Sequence, residues 1–228
     1  MPASALNEVL QSIENVSGAA GRPARLLAVS KTQPADAIRE LARQGQRAFG
    51  ENYVQEALAK QASLADLDLE WHLIGHLQSN KAADAARHFD WVQSVDRPKL
   101  VPALARHRPA GAPPLKVLVQ VNIDDETSKH GCPPDAVASL AAAISAEPQL
   151  QLRGLMAIPA PHPDPERSRM AFRAMKTLFD QLARMHPGVD TLSMGMSADY
   201  PLAIEEGATL VRIGTALFGA RPTKEQHA

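Results

Sequence analysis

Residues 26–31 read LLAVSK, an apolar run that ends in a hydroxyl and then a lysine. The run is strand-sized, and ADAIRELAR (35–43) after it repeats its apolar residues at helical spacing. The same unit recurs to the end of the chain. Strand-like runs follow at 48–52 (AFGEN), 70–76 (EWHLIGH), 91–96 (WVQSVD), 116–123 (KVLVQVNI), 152–159 (LRGLMAIP), 191–197 (TLSMGMS) and 209–218 (TLVRIGTALF). Alanine-rich stretches of helical spacing lie between them, among them 54–61, 79–87, 137–144 and 169–185, and a further helix is expected over 5–16. Eight such alternations in about 200 residues predict an α/β fold, a closed (β/α)8 TIM barrel. An open doubly wound sheet shares the alternation and stays open as an alternative, although no GxGxxG follows the first strand.

Composition narrows the function classes. The chain has 228 residues, 45% hydrophobic, within reach of one barrel domain spanning 1–228; the proline-rich pieces 109–114 and 159–165 are loop-sized. With 24 basic and 25 acidic residues the formal net charge is -1, so neither a nucleic-acid track nor an anionic membrane surface is indicated. Aromatic residues are 4%, too few for a base-stacking platform. The single cysteine, Cys132, excludes an internal disulfide and reads as an unreactive loop thiol. The N-terminal stretch lacks the pattern of a signal peptide, and no apolar run has membrane-spanning length, so a cytoplasmic protein is expected.

In a barrel of this kind function collects where the strands end. Period-two alternation puts Leu27, Val29 and Lys31 on one face of the first strand. If that face points inward, Lys31 stands in the barrel mouth, where loss of hydration favours its neutral, nucleophilic amine. A solvated lysine at the start of a loop is the other reading. The seventh and eighth strands supply small residues, hydroxyls and glycines suited to close approach of a phosphate: Ser193, Gly195 and Ser197, then Gly214 and Thr215. Arg212 shares a face with Gly214 and can lean over a bound group. Tight packing at the rim would use the same residues. Asn52 ends the second strand; His72 and His76 share a face of the third, and Gln120 and Asn122 a face of the fifth. A zinc site on the two histidines lacks a third ligand nearby in sequence and an HExxH pattern, so no metal is assigned.

These blocks together resemble the pyridoxal phosphate homeostasis family, which is similar to the N-terminal barrel of alanine racemase and to the fold-type III enzymes of pyridoxal 5'-phosphate (PLP). The resemblance rests on LLAVSKTQP (26–34), FGENYVQE (49–56), EWHLIGHLQSNK (70–81), VQSVD (92–96), NIDDETSKHG (122–131), GLM (154–156), LSMGMSADYPLAIEEGAT (192–209) and VRIGTALFG (211–219). It implies PLP as cofactor, held as a Schiff base on Lys31. It further implies Ser193 and Ser197 as phosphate contacts, Gly214 and Thr215 as a phosphate cup, and Arg212 facing the pyridine nitrogen. Asn52 falls at a pocket position, with His76, Met156 and Asn122 as weaker candidates.

The same resemblance bears on catalysis. An arginine at the pyridine nitrogen weakens the ring as an electron sink. The racemase's additional β domain, which supplies a catalytic tyrosine, has no counterpart in the sequence, and only Tyr53 and Tyr200 are present. The expectation is a monomeric, non-enzymatic PLP carrier or buffer in vitamin B6 homeostasis, with apo PLP-dependent enzymes as recipients. A low-specificity amino-acid racemase is the alternative, and a barrel enzyme acting on a phosphorylated metabolite without PLP a third. Lys129 is a candidate for a second PLP contact.

Overall fold

A computed structural model describes residues 4–124, 130–160 and 162–219. Lys129 lies outside these described residues. The elements run α1 (Ala5–Ala20), β1 (Arg25–Val29), α2 (Ala35–Arg43), β2 (Ala48–Glu51), α3 (Val54–Ser63), β3 (Glu70–Leu73), α4 (Ala82–His88), β4 (Trp91–Val95) and α5 (Leu100–His107). They continue with β5 (Leu115–Val121), α6 (Val137–Ser145), β6 (Leu150–Ala157), α7 (Pro165–Met185), β7 (Thr191–Met196), α8 (Tyr200–Glu205), β8 (Leu210–Ile213) and α9 (Thr215–Phe218). The strands are parallel and close in sequence order, β8 pairing with β1 through Leu26–Val211 and Leu27–Arg212. The closed barrel replaces the open-sheet alternative.

Both faces of each strand are covered, and alternation sorts the side chains. Leu27, Ala48 and Leu210 pack with Ile74 inside the barrel, and Trp91, Leu118 and Met156 form a second interior group. Their neighbours in the chain, such as Leu26, Ala28, Phe49, Val92, Val117 and Leu155, belong to the layer between sheet and helices. The helices contribute stripes of matching period. α7 buries Phe172, Met175, Phe179 and Leu182, each removal from water stabilising the fold by about 1.5–3 kcal/mol. Asp164 caps its start, accepting from Glu166 N at 3.0 Å, with Pro165 pre-set in the first turn. Among the described residues no helix is long and apolar enough to cross a membrane.

Two sequence expectations shift. The run 209–218 is not one strand: β8 stops at Ile213, and Thr215–Phe218 turns into α9, with Leu217 N and Phe218 N both returning to Gly214 O. Its apolar content suits a buried strand or a buried helical turn equally, so periodicity could not place the boundary. The run 70–76 also ends early, at Leu73. Gly75 crosses Asn52 so closely that a Cβ there would lie 2.1 Å from Asn52 O, which takes the segment out of the sheet.

Candidate functional site

The C-terminal ends of the strands open into a cavity of about 580 Å³. Lys31, Asn52, Ser197, Arg212, Gly214 and Thr215 all line it, with Ile74, His76, Gln120, His130 and Met196. An adjoining cavity of about 520 Å³ shares Asn52, Gly75, His76 and His130 and extends to Tyr53 and Lys81. Residues far apart in sequence thus meet at one mouth because each closes, or directly follows, a barrel strand.

The backbone on either side of Lys31 is pinned from outside the barrel wall. Ser30 Oγ donates to Glu51 Oε1 at 2.6 Å, and Lys60 Nζ reaches Ser30 O and Glu51 Oε1, both at 2.8 Å. Lys60 also bonds Glu56 Oε1 at 2.7 Å, and that oxygen accepts from Thr32 N at 2.6 Å. Thr32 carries φ +64, an uncommon value for a β-branched residue, held by these contacts. Burial pushes the Glu51 carboxyl up, against the pull of Lys60 and Ser30. Sequence reading missed this cluster. Its only local signal is the Glu56/Lys60 spacing of four, which solvent-facing helices also show.

The neighbouring rim, after β7 and β8, is built for close approach. Gly195 has φ +91, and a Cβ there would fall 2.5 Å from Ala203 Cβ on α8. Met196 N donates to Asp199 Oδ1 at 2.7 Å and Asp199 N to Met196 O at 3.0 Å, which folds Ser197 and Ala198 into a tight turn facing the cavity. A Cβ on Gly214 would sit 3.2 Å from Val29 O, so a larger residue there would crowd the end of β1. The amides of Thr215 and Ala216 precede the first bond returned within α9, where helix geometry directs N–H groups outward. A glycine-lined edge with hydroxyls and amides fits an anionic group, and the cavity's lysine side fits an electrophile.

Arg212 forms the floor between them. It is 3% exposed; NH1 donates to Ser193 Oγ and NH2 to Ala157 O, both at 2.7 Å. Burial lowers its pKa to about 10, with Asp199 opposing. A guanidinium with a pKa that high remains charged near neutral pH.

The structure does not bring Ser193 to the mouth cavity. Register explains this: Ser193 pairs with Leu210 and Met196 with Arg212, so Ser193 sits below the arginine on the inward face. Three residues lie between it and Ser197, which follows the end of β7 at the mouth. Its hydroxyl is fully buried and donates to Gln93 Oε1 at 2.7 Å. The hydroxyl-rich sequence 193–197 marked the right strand, but depth divides its two serines.

Other candidates are also sorted. His72 is buried in the barrel, its ring stacked on Trp91 at 5.1 Å, and does not join His76. His76 instead lies in the cavity wall, 3.6 Å from Asp96 and stacked on His130 at 3.7 Å. The ligand-type atoms of these three lie within 4.8 Å of one another, a grouping that sequence spacing could not reveal. Met156 belongs to the interior group, and Asn122 N bonds Cys132 O at 2.9 Å. Cys132 is buried, and burial pushes its thiol up to about 11. Tyr200 turns away from the mouth, its hydroxyl donating to Ser12 Oγ on α1 at 2.7 Å.

The model of the family described as alanine racemase, N-terminal domain, matches residues 4–222. A pyridoxal phosphate homeostasis protein of Pseudomonas aeruginosa is 55% identical over 217 residues, covering 94% of this chain and 93% of that protein. The chain belongs to the pyridoxal phosphate homeostasis family. Among solved structures of similar proteins, PipY of Synechococcus elongatus PCC7942 with PLP bound is 42% identical, with a TM-score of 0.79, covering 92% of this chain and all of that one. Alanine racemase from Corynebacterium glutamicum, at 22% identity and a TM-score of 0.65 over 94% of this chain and 61% of its own, shares the fold. Family membership accounts for the barrel mouth as the place where the matched blocks converge.

Proposed function

We propose that this protein binds PLP at the barrel mouth and holds it as a Schiff base on Lys31, as a carrier without turnover of its own. The observation that carries the reading is one cavity lined by Lys31 after β1, by Ser197 and Gly214–Thr215 after β7 and β8, and by the buried Arg212. PLP carries its aldehyde and its phosphate arm on neighbouring ring carbons, with the ring nitrogen across from the aldehyde, which asks for a lysine and an anion cradle on adjacent strands, as β1 and β8 are. The homolog PipY, solved with PLP bound, supports the same ligand.

In this reading Ser197, Gly214 and Thr215 hold the phosphate, and Arg212 faces the pyridine nitrogen. Asn52 closes the side of the pocket. The bound group supplies an aldehyde that condenses with a primary amine, forming one C=N bond and releasing one water. The Lys60–Glu51–Glu56 cluster keeps Lys31 oriented by fixing Ser30 and Thr32. A buried guanidinium keeps the ring nitrogen unprotonated, which suits storage better than carbanion chemistry. Release to apo PLP-dependent enzymes, by a monomer in the cytoplasm, completes the role.

The test is an absorbance spectrum before and after borohydride, followed by peptide mapping. A band near about 420 nm, trapped on Lys31, is expected; no band with added PLP overturns the reading. One observation favours a racemase as second reading, the His76–Asp96 pair in the cavity wall. Steady amino-acid racemisation that scales with protein and disappears in both Lys31→Ala and His76→Ala would replace the carrier with that enzyme.

A further inference from the structure

A file of hydrogen bonds crosses the barrel interior from mouth to base. Arg212 NH1 donates to Ser193 Oγ at 2.7 Å, and Ser193 Oγ donates to Gln93 Oε1 at 2.7 Å. Gln93 Nε2 meets His72 Nδ1 at 2.9 Å, and His72 Nε2 meets Glu70 Oε1 at 2.8 Å. The four inner groups come from β8, β7, β4 and β3, and Ser193, Gln93 and His72 are fully buried.

The two ends fix the direction. A guanidinium only donates and a carboxylate only accepts. Ser193 accepts from Arg212, so its single proton goes to Gln93 Oε1. The Gln93 amide then turns its N–H to His72, which must accept on Nδ1 and carry its proton on Nε2. Four donors point the same way, towards Glu70. Burial lowers the His72 pKa, against the pull of Glu70, which agrees with a neutral imidazole in that one tautomer. At the base, Arg25 at 3.0 Å and Lys116 at 3.5 Å hold Glu70 as an anion.

Arg212 takes part in no ion pair among the described residues, only in bonds to a hydroxyl and a carbonyl. Aligned hydrogen bonds in a low-dielectric interior polarise one another, so the carboxylate's field reaches the guanidinium through the file. We propose that Gln93 and His72 are positioning residues that fix the Arg212 guanidinium and couple it to Glu70, and so set the electrostatics at the floor of the mouth. The effect on the cofactor rests on the reading that PLP occupies that mouth; the coupling itself does not. Two of the five guanidinium N–H groups are taken by Ser193 and Ala157, which fixes the plane of a side chain that also lines the cavity. No sequence spacing points to Gln93: it is an inward residue of β4, and its role follows from what stands across the barrel.

The test uses Gln93→Glu, which keeps shape and the acceptor for Ser193 but places a second acceptor against His72 Nδ1. Gln93→Met removes the link, and Glu70→Gln, at the partly exposed base, removes the terminal charge. Side-chain ¹⁵N spectra of the ligand-free protein are read first. Wild type should show His72 as the neutral Nε2–H tautomer, and Gln93→Glu should abolish that state and move the Arg212 guanidinium resonances. With PLP added, the pH midpoint of the visible band should shift in all three variants, most in the Gln93 pair, and PLP should dissociate roughly three- to tenfold faster from those two. If Gln93→Met does not fold, Gln93→Glu and Glu70→Gln carry the test. Arg212 resonances unmoved in folded Gln93→Glu or Glu70→Gln overturn the coupling. A wild type that retains no PLP, yet shows the tautomer and the coupled resonances, overturns the proposed function and leaves the file standing.

Discussion

The two ends of the barrel handle charge differently. At the base, Glu70 gathers His72, Arg25 and Lys116, and Arg153 pairs with Asp190. Burial alone would raise the Glu70 carboxyl, but the His72 bond and the Arg25 charge outweigh it and hold it well below the usual range. At the mouth, Arg212 is more deeply enclosed and meets only a hydroxyl and a carbonyl, so burial prevails and disfavours its charged form. The base spends its charges on each other and reads as structure. At the mouth Arg212 and Lys31 line a cavity, which is the arrangement a ligand completes.

The sharpest break of that contrast is at Lys31. Lys31→Ala should abolish the borohydride-reducible band while thermal stability stays near wild type; a reducible adduct persisting in that variant would remove Lys31 from the mouth chemistry. Next comes Arg212→Ala, which leaves Ser193 Oγ and Ala157 O without their donor. A loss of PLP affinity of about tenfold or more is expected by equilibrium dialysis, together with lower stability.

The two serines of β7 sharpen the comparison further. Ser197→Ala should weaken PLP by severalfold and leave pyridoxal, which has no phosphate, nearly unaffected. Ser193→Ala should change both ligands by a similar factor, since its hydroxyl supports Arg212. A phosphate-selective loss at Ser193 would return it to the role that the sequence resemblance implied.

The smallest effect belongs to the base. Glu70→Gln should destabilise the fold by about 1–2 kcal/mol at pH 7 in urea titrations. Its folded pKa is depressed, so this stabilisation is present above the unfolded value of about 4.3 and is lost as pH falls below it. The gap between wild type and variant should therefore narrow on acidification from about pH 5. A gap that widens there would contradict the depressed carboxyl.

The sequence was most legible where local pattern and position coincide. Lys31, Asn52, Ser197, Gly214 and Thr215 lie at or just past strand ends, and a parallel closed sheet sends all such ends to one face. Ser193 is absent from the cavity lining because composition marks a strand without giving its depth, which is set by the β7–β8 register. Gln93 carried no signal, and His72 was singled out only beside His76, since an inward polar residue in an apolar strand has meaning only through its cross-barrel partner. His76, Asp96 and His130 span 55 positions in number and meet only because three loops converge.

By itself the sequence determined eight repeats of strand and helix period, and which residue types stand at the strand ends; closure into a barrel came from the tertiary structure. Only the tertiary structure decided which hydroxyl faces the cavity, what pins the backbone around Lys31, and that a buried arginine is joined to a carboxylate at the far end. Periodicity is a property of neighbours in the chain. Depth, register and pairing across the barrel are fixed by closure, which brings together residues that no local pattern relates.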